Sequence, residues 1–291
     1  IIEQAKELNE LLLQNKITPI FLKGTGNLLE GLYEDIGERM VGDIDFIFSK
    51  EDYLKAIQLL TDNGYNQRPK QNIVKLWSNL LVNSKHRHFP RLIHKNKISG
   101  IEIHHSLIKK IYRHEFNYNF VKDSIQLVEN FSVLSFENQL SLSIAAYHIN
   151  NNGFEHKGIA LRNAYDVFLL SKKTTAKNAF SKLNTLEHPL HCFLACCYEV
   201  FNKPETLQYF ESKKIERYLV LFYRYINDRK LAAQKAEKKF SKINRKNNFL
   251  YRFDLILGSF FHKENRSWIY KRVTDKNWRK EKLIQLGLKK A

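Results

Sequence analysis

Residues 39–48 read Arg39-Met-Val-Gly-Asp-Ile-Asp-Phe-Ile-Phe48, an apolar segment that carries two carboxylates, Asp43 and Asp45. Side chains two residues apart on a strand project to the same face. Burying two like charges so close together is costly unless a cation lies between them. Magnesium, which takes oxygen ligands and commonly binds phosphates as well, is the usual cation of this kind. The pair therefore predicts a metal site, and two acids hydrogen-bonded at a strand end are the alternative interpretation.

A phosphate-binding segment is predicted upstream of the aspartates. A short strand at 17–22 runs into Lys23-Gly24-Thr25-Gly26, and a helical stretch follows at 27–33. A glycine turn at the start of a helix presents backbone N–H groups to an anion. The lysine adds a positive charge for the same phosphate. We therefore expect these four residues to bind the phosphates of a nucleotide.

A third acid lies in the strand predicted at 98–107. There Glu102 and His104 alternate with isoleucines, which places an acid and an imidazole on one strand face. Two aspartates and this glutamate would hold two divalent ions for an in-line displacement at phosphorus. The alternative for Glu102 is an ordinary surface residue. His104 is either a residue that orients the metal ligands or a polar residue of the strand.

With these motifs the chain resembles the minimal, DNA-polymerase-β-like nucleotidyltransferases, and more narrowly a poorly characterised bacterial group of them. The resemblance covers residues 5–170 and rests on the following positions: Lys23-Gly24, Tyr33, Arg39, Asp43-Ile44-Asp45, Gly64-Tyr65, Glu102-Ile103-His104, His148, Arg162 and Asp166. Two positions depart from the wider superfamily. Gly24-Thr25 stands where Gly-Gly or Gly-Ser is usual, and Glu102 stands where the third acid is usually aspartate.

The resemblance implies a fold and a reaction. The fold is α/β (α+β), a nucleotidyltransferase-like mixed sheet with flanking helices, followed by an all-helical C-terminal region. The reaction is the transfer of a nucleoside monophosphate from a nucleoside triphosphate to an acceptor hydroxyl, with two Mg²⁺ ions or with Mn²⁺. Asp43, Asp45 and Glu102 are then the catalytic residues and metal ligands, while Arg39 and His104 join the glycine segment in binding the nucleotide.

Several residues of the pattern also have an ordinary structural interpretation. Arg39 lies in a loop and could pair with a nearby acid, Asp35 or Glu38. Arg162 and Asp166 are four residues apart on a predicted helix, a spacing that favours an intrahelical ion pair. The resemblance alone places these two residues, and His148, in a nucleotide or acceptor cleft.

Hydrophobic periodicity predicts two domains. In a catalytic domain at 1–125 we expect a helix at 2–15, a helix that begins at the capping pattern Ser49-Lys-Glu-Asp52 and runs to Asn63, and strands at 72–83 and 87–94. A helical domain at 135–291 follows where strands give way to helices. Its predicted helices lie at 136–150, 158–172, 176–184, 189–201, 205–227, 229–243, 247–261 and 265–286.

Composition indicates a folded protein of the reducing cytoplasm. The chain has 291 residues, of which 43% are hydrophobic, and it contains only three cysteines, at 192, 196 and 197. No apolar run approaches the ~20 residues of a membrane span. The cluster of His188, His191 and the cysteines suggests zinc, but Phe193, Leu194 and Ala195 between them favour a buried helix with free thiols.

The C-terminal part, residues 229–291, holds 19 Lys and Arg against 5 Asp and Glu, and the whole chain has a net charge of +18. Aromatic residues are interleaved with this charge, which suits a phosphate backbone and unpaired bases. RNA such as tRNA is therefore a candidate acceptor, contacted by Lys238, Lys239, Lys242, Arg245, Lys246, Lys271, Arg272 and Arg279. An anionic membrane surface and a solvated helix are the alternatives.

Three other functions stay open at this stage. The same chemistry could act on a small molecule, a glycan or a protein. The chain could be a catalytically silent module that binds nucleic acid, or a toxin or defence nucleotidyltransferase. The sequence names neither the base of the nucleotide nor the acceptor.

Overall fold

The computed structural model describes residues 1–67, 87–235, 237–238, 241–242, 253, 270, 273–278 and 280. The chain divides into two compact units, Ile1–Arg229 and Lys230–Ala291. The strand predicted at 72–83 and the helix predicted at 247–261 lie outside the described residues, apart from Phe253, which is helical. Every described residue within the predicted helix 229–243 is helical.

One mixed sheet of seven strands forms the centre of the described part of the first unit. Its order is β3-β4-β5-β2-β1-β7-β6. The strands are β1 (Ile20–Phe21), β2 (Asp43–Ile47), β3 (Asn66–Gln67), β4 (Leu92–Ile93), β5 (Gly100–His104), β6 (Ile125–Val128) and β7 (Phe131–Leu134). The pairs β2–β5 and β1–β7 are parallel and the others are antiparallel, so the predicted mixed sheet is confirmed.

Ten α-helices flank this sheet or follow it in the described part of Ile1–Arg229. They are α1 (Ile2–Gln14), α2 (Lys23–Leu29), α3 (Lys50–Asp62), α4 (Tyr118–Val121), α5 (Phe136–His148), α6 (Gly153–His156), α7 (Leu161–Ser171), α8 (Ala176–Phe180), α9 (Glu187–Val200) and α10 (Lys213–Asn227). The predicted capping of α3 is confirmed, because Ser49 Oγ accepts a hydrogen bond from the Asp52 amide at 3.1 Å.

Apolar stripes explain why these helices cover the sheet. In α1, Ala5, Leu8 and Leu12 are spaced three and four residues apart and are completely or almost completely buried. They pack in one cluster with Phe21 of β1 and Phe46 of β2, whose rings meet edge to face at 5.6 Å between centroids. The strand that carries the two aspartates is thereby fixed from its other face.

Several predicted segments differ from the structure, among them the strand expected at 87–94, of which only Leu92–Ile93 is a strand. The helix expected at 205–227 is a 3₁₀ turn at Glu205–Leu207 followed by α10, because Ser212 caps a new helix by accepting a hydrogen bond from the Ile215 amide. The stretch 123–135, which includes the predicted boundary between the two domains, contains the hairpin β6–β7. The left-handed backbone of Glu129, with φ 54°, forms its turn.

The hairpin extends the sheet to Leu134, since β7 pairs in parallel with β1. Residues on both sides of the predicted boundary at 125–135 belong to the one unit Ile1–Arg229. The division into a catalytic and a helical domain at that boundary stays a prediction.

Candidate active site

The register of β2 and β5 brings the predicted acids together. These parallel strands place Asp45 beside Glu102 and Asp43 beside Gly100. Paired residues on neighbouring strands share a face of the sheet, and so do residues two apart. The alternation read from the sequence therefore corresponds to one polar row on this face, which continues with His104 at the end of β5.

The side chain of Lys23 joins three side chains of this row in one cluster, with Asp45, Glu102 and His104. Lys23 Nζ donates a hydrogen bond to Asp45 Oδ1 at 2.6 Å and lies 3.9 Å from Glu102 Oε2. His104 Nε2 lies 2.8 Å from the same Asp45 oxygen and 3.6 Å from Glu102 Oε2. Lys23 Nζ and His104 Nε2 are 3.4 Å apart. Asp45 is therefore the shared partner of the Lys23 ammonium and the His104 imidazole.

Asp45 is buried in this cluster, with a relative exposure of 6%. Burial alone would raise the pKa of its carboxyl. The Lys23 ammonium and the hydrogen bond from His104 outweigh that effect and hold the pKa of Asp45 below its usual range. The carboxylate is thus kept ionised in an enclosed place, which is the state that a cation ligand requires.

Glu102 has a second imidazole neighbour. His88 Nε2 lies 3.8 Å from Glu102 Oε2, and His88 forms an isolated antiparallel bridge with His104 of β5. Burial would raise the pKa of Glu102, but the His104 hydrogen bond and the charges of His88 and Lys23 hold it below its usual value. The third acid faces the site and is not an exposed surface residue, at 20% side-chain exposure.

The carboxylate of Asp43 is paired with a different cation from that of Asp45. Its carboxylate forms an ion pair with Arg91, whose guanidinium lies directly over Gly100. A Cβ at Gly100 would overlap that guanidinium, so a side chain at this position would force Arg91 to move. Burial raises the pKa of Asp43 despite Arg91, and the nearby charges of the other two acids raise it further. Asp43 is on the predicted face, but its carboxylate is held apart from the Lys23 cluster.

The donor set fits a divalent cation. Ligand atoms of Asp45, Glu102 and His104 all lie within 4.8 Å of one another. The Asp43 carboxylate, which is paired with Arg91, is not part of this group. Carboxylate oxygens suit Mg²⁺ or Mn²⁺, while imidazole ligands are more typical of zinc, copper, iron and nickel. In the described part of the chain, no other group of three or more potential ligands has this geometry.

The glycine segment is more closely packed than predicted. The helix α2 begins at Lys23 itself, so no separate turn precedes it, and Lys23 has a left-handed φ of 54°. A Cβ at Gly24 would lie 2.8 Å from Val41 Cγ2 and 3.1 Å from Arg39 Nη2. A Cβ at Gly26 would lie 2.9 Å from the carbonyl oxygen at the end of β1. Close packing of α2 therefore requires both glycines.

Thr25 joins this segment to β2. Its Oγ1 donates a hydrogen bond to the carbonyl oxygen of Asp43 at 3.0 Å, and Thr25 is almost completely buried. The threonine thus positions the strand backbone beside the acids. Phosphate binding by the segment from Lys23 to Gly26 stays a prediction.

Arg39 does not pair with Asp35 or Glu38. Its Nε and Nη2 donate to Oδ1 and Oδ2 of Asp166 at 2.9 and 3.1 Å, and both side chains are buried. Asp35 and Glu38 instead cap the 3₁₀ turn between them. Tyr33 also donates to Asp166 Oδ1, at 2.8 Å. A nucleotide contact by Arg39 stays a prediction.

The predicted intrahelical pair between Arg162 and Asp166 is wrong, because Asp166 points inward to Arg39 while Arg162 is exposed. His148 is completely buried, with Nε2 3.3 Å from the hydroxyl of Tyr218 and aromatic rings around it. Its contacts are those of a core histidine. The structure does not bring His148 to the acids of the sheet.

The remaining candidate residues are the cysteines and the basic residues. All three cysteines are free and buried in α9, and Cys192 Sγ lies 3.8 Å from His188 Nε2. Of the eight basic residues predicted to contact an acceptor, Lys238 and Lys242 are described and exposed. The remaining six lie outside the described residues: Lys239, Arg245, Lys246, Lys271, Arg272 and Arg279. No described helix combines the length and apolar character needed to cross a bilayer.

Sequence reasoning missed three residues of the site. Arg91 and His88 contact Asp43 and Glu102, and Arg87 lies next to them in the chain. Arg87 and His88 belong to the basic run Lys85-His-Arg-His88. Its position just before β4, next to the strand with the third acid, was the available signal.

A family model described as uncharacterised nucleotidyltransferase matches residues 1–202, which confirms the predicted resemblance. The crystal structure of JHP933 from Helicobacter pylori is 12% identical over 84% of this chain and 97% of that chain, with a TM-score of 0.34. Comparison with curated proteins found no match.

Proposed function

This chain belongs to the family of uncharacterised nucleotidyltransferases, and on that premise we propose that it transfers a nucleoside monophosphate from a nucleoside triphosphate to an acceptor hydroxyl. One observation carries the proposal. Asp45 and Glu102 lie side by side on parallel strands, and Lys23 and His104 converge on them. An enclosed pair of ionised carboxylates beside an ammonium suits a site for a divalent cation and a polyphosphate.

Each residue has a role in this proposal. Asp43, Asp45 and Glu102 would hold the divalent ions, and His104 would orient Asp45 through its short contact with Oδ1. Lys23 leaves Asp45 to neutralise the triphosphate, which offers the ammonium a new partner. When bound, Mg²⁺ or Mn²⁺ would withdraw negative charge from the transferring phosphate and lower the pKa of the acceptor hydroxyl.

The atoms of the reaction balance as follows. The acceptor oxygen forms a bond to the α-phosphorus, and the bond from that phosphorus to the bridging oxygen breaks. Pyrophosphate leaves, and the hydroxyl proton passes to solvent. The chain contributes position and charge rather than a covalent intermediate, as is usual for phosphoryl transfer.

RNA is the acceptor that the charge distribution favours. Residues 229–291 hold 19 of the 48 Lys and Arg residues, and the described Lys238 and Lys242 are exposed. Binding of this kind weakens steeply with salt because counterions are released. Replacing basic residues in 235–246 and 271–282 by Gln should flatten the salt dependence of tRNA binding. If the acceptor is a small molecule, glycan or protein, the same replacements should leave transfer to that acceptor unchanged.

The experiment that tests the reaction is label transfer. The protein is incubated with each α-labelled nucleoside triphosphate, Mg²⁺ and a total-cell extract, and the labelled class of molecule is identified. Transfer that stops in EDTA and resumes with Mg²⁺ or Mn²⁺ supports the proposal. Metal-independent transfer contradicts it. No transfer, together with no calorimetric binding of magnesium–NTP, would identify a silent binding module, and growth arrest on expression would indicate a toxin.

A further inference from the structure

His88 extends the polar row of the active site onto a third backbone segment. It forms an isolated antiparallel bridge with His104 of β5, and the centroids of the two rings are 5.1 Å apart. Two backbone hydrogen bonds flank this bridge: the Phe89 amide donates to the carbonyl oxygen of Ile103 at 2.8 Å, and the His105 amide donates to that of Arg87 at 3.0 Å. Bridged residues of an antiparallel pair lie opposite each other on one face. His88 therefore lies on the face that carries the catalytic acids.

The backbone determines which nitrogen of His88 faces the acids. Nδ1 lies 2.8 Å from the carbonyl oxygen of Phe89, which can only accept a hydrogen bond, so Nδ1 carries the proton. In the neutral imidazole, Nε2 then keeps its lone pair. It faces Glu102 Oε2 at 3.8 Å, a separation that is too long for a hydrogen bond. An unprotonated nitrogen and a carboxylate oxygen thus face each other with no hydrogen bond between them.

His104 holds its proton on the other nitrogen. Its Nε2 lies 2.8 Å from Asp45 Oδ1, so this nitrogen carries the proton and donates a hydrogen bond to the carboxylate. Its Nδ1 is buried and has no hydrogen-bond partner within the described part of the chain. Moving the proton to Nδ1 would leave a buried N–H unpaired, which is costly. Of the two imidazoles near Glu102, His88 is therefore the one with a nitrogen available to a metal ion.

His88 has the support that a metal ligand needs. Histidines that bind metals almost always donate their other ring N–H to a carbonyl, a carboxylate or water, which fixes the tautomer and the ring orientation. The carbonyl oxygen of Phe89 accepts this hydrogen bond. The side chain of His88 is 26% exposed, so solvent reaches it.

A positive charge already lies among these groups. Lys23 Nζ is 2.6 Å from Asp45 Oδ1 and 3.9 Å from Glu102 Oε2, the same oxygen that faces His88. The carboxylates are thus arranged around a cation. An ion about 2.1 Å from each of two ligands can join atoms up to about 4.2 Å apart. The 3.8 Å between Glu102 Oε2 and His88 Nε2 falls within this range.

We propose that His88 Nε2 binds a metal ion together with Glu102, and that the site consequently prefers a divalent transition-metal ion to Mg²⁺. Mg²⁺ takes oxygen ligands, whereas imidazole suits ions such as zinc, iron and nickel. His88 is not one of the three residues whose ligand atoms all lie within 4.8 Å of one another, so it joins that group through Glu102. This inference rests on the proposed function and names the class of ion for the same site.

Pulsed electron paramagnetic resonance of the full chain loaded with Mn²⁺ tests the ligand directly, because it detects nitrogen bound to the ion. Protein that contains ¹⁵N-labelled histidine identifies this nitrogen as an imidazole. The coupling should be present in the wild-type protein and in His114→Gln, whose side chain is 64% exposed, and absent from His88→Gln. Circular dichroism confirms that each variant is folded.

Three results overturn the proposal. Coupling that persists in His88→Gln would assign the nitrogen to another histidine. Bound Mn²⁺ without any nitrogen coupling would leave only oxygen ligands. The third is the absence of bound Mn²⁺ both in the wild-type protein and in Lys23→Met, in which the competing ammonium is removed.

His88→Asp distinguishes a metal ligand from a residue that only supports the fold, because it replaces the nitrogen by a carboxylate oxygen. Equilibrium dialysis measures the affinities for Co²⁺ and Mg²⁺ separately. The affinity for Co²⁺ should fall by roughly tenfold in His88→Gln and in His88→Asp, while His88→Asp keeps the affinity for Mg²⁺ within about twofold of the wild-type value. An equal loss of both ions in His88→Asp would indicate a structural role and overturn the proposal.

None of these measurements uses a nucleotide or an acceptor, so their outcome is independent of the label-transfer experiment. A nitrogen-bound ion in a protein that transfers no label supports this inference and removes the proposed function. Mg²⁺-dependent transfer by a protein whose bound ion has no nitrogen ligand overturns this inference and leaves the proposed function intact.

Discussion

Arg39 and Asp166, 127 residues apart in the chain, form a buried two-point ion pair with both hydrogen bonds at 2.9–3.1 Å. Asp166 lies on α7, and Arg39 lies in the loop that leads into β2. The Nη2 atom of Arg39 also closes the space above Gly24, next to Lys23. A helix from the C-terminal half of Ile1–Arg229 thereby positions the loop between the glycine segment and the catalytic strand.

Removing the acid should therefore cost stability as well as activity. Asp166→Ala leaves a buried guanidinium without its partner, and such losses typically cost about 3–5 kcal/mol. Urea unfolding should show this decrease in the free energy of unfolding. Arg162→Ala, on the exposed face of the same helix, is the control and should change it by less than about 0.5 kcal/mol. An equal change in the free energy of unfolding in the two variants would contradict the stabilising role of the Arg39–Asp166 ion pair.

Gly24 should tolerate no side chain, unlike Gly42 nearby. A Cβ at Gly24 meets Val41 and the fixed Arg39, whereas a Cβ at Gly42 meets no heavy atom within 4 Å. We expect Gly24→Ala to destabilise the protein by about 1–3 kcal/mol, as overpacking usually does, and to raise the KM for the triphosphate. Gly42→Ala should resemble the wild-type protein in thermal unfolding and in KM. A neutral Gly24→Ala would show that Arg39 can move freely.

Lys23 should oppose a metal ion in the absence of nucleotide. Its ammonium lies 2.6 Å from Asp45 Oδ1, within the group of potential ligands. Lys23→Met removes this like charge, so Mn²⁺ should bind more tightly, by roughly tenfold in electron paramagnetic resonance titrations without nucleotide. The same variant should bind the triphosphate more weakly. Lys55→Met, at an exposed position, is the control. An unchanged Mn²⁺ affinity in Lys23→Met would show that the Lys23 ammonium does not oppose metal binding.

His148 should make the protein less stable in mild acid. Burial holds the pKa of this imidazole well below its usual 6.5, and the charges of Lys157 and His188 add to the effect. Below pH 6.5 the unfolded chain therefore binds a proton that the folded chain does not, so the free energy of unfolding falls as the pH falls. His148→Phe should reduce this slope by up to about 1.4 kcal/mol per pH unit.

Urea unfolding between pH 5 and 7.5 measures that slope. His114→Gln is the control because the His114 side chain is 64% exposed. A slope that is the same in His148→Phe and in the wild-type protein would show that the buried imidazole already takes up a proton in the folded state.

Local patterns predicted the elements of this protein well. The alternation of Glu102 and His104 with isoleucines gave the correct strand face, and the spacing of Ala5, Leu8 and Leu12 gave α1. The face of a strand and the buried stripe of a helix depend on residues only a few positions apart, so hydrophobic periodicity predicts them directly. The mixed sheet and the resemblance of the chain to the family were both predicted from such local segments.

Long-range pairings could not be predicted in this way. Asp166 was expected to pair with Arg162 because only the spacing along the helix was visible. Its partner, Arg39, is brought near by tertiary packing, which leaves no local signal. The separation of Asp43 from the Lys23 cluster likewise depends on Arg91, which precedes β4 in the chain and lies over Gly100.

Asp45 tests the central claim most directly, because it is the shared partner of Lys23 and His104. Transfer of a labelled nucleoside monophosphate by Asp45→Asn is compared with transfer by the wild-type protein and by Asp123→Asn, an exposed control. The account predicts that Asp45→Asn folds normally by circular dichroism yet loses transfer by roughly a thousandfold or more, while Asp123→Asn keeps it. Undiminished transfer by a folded Asp45→Asn protein would contradict the account.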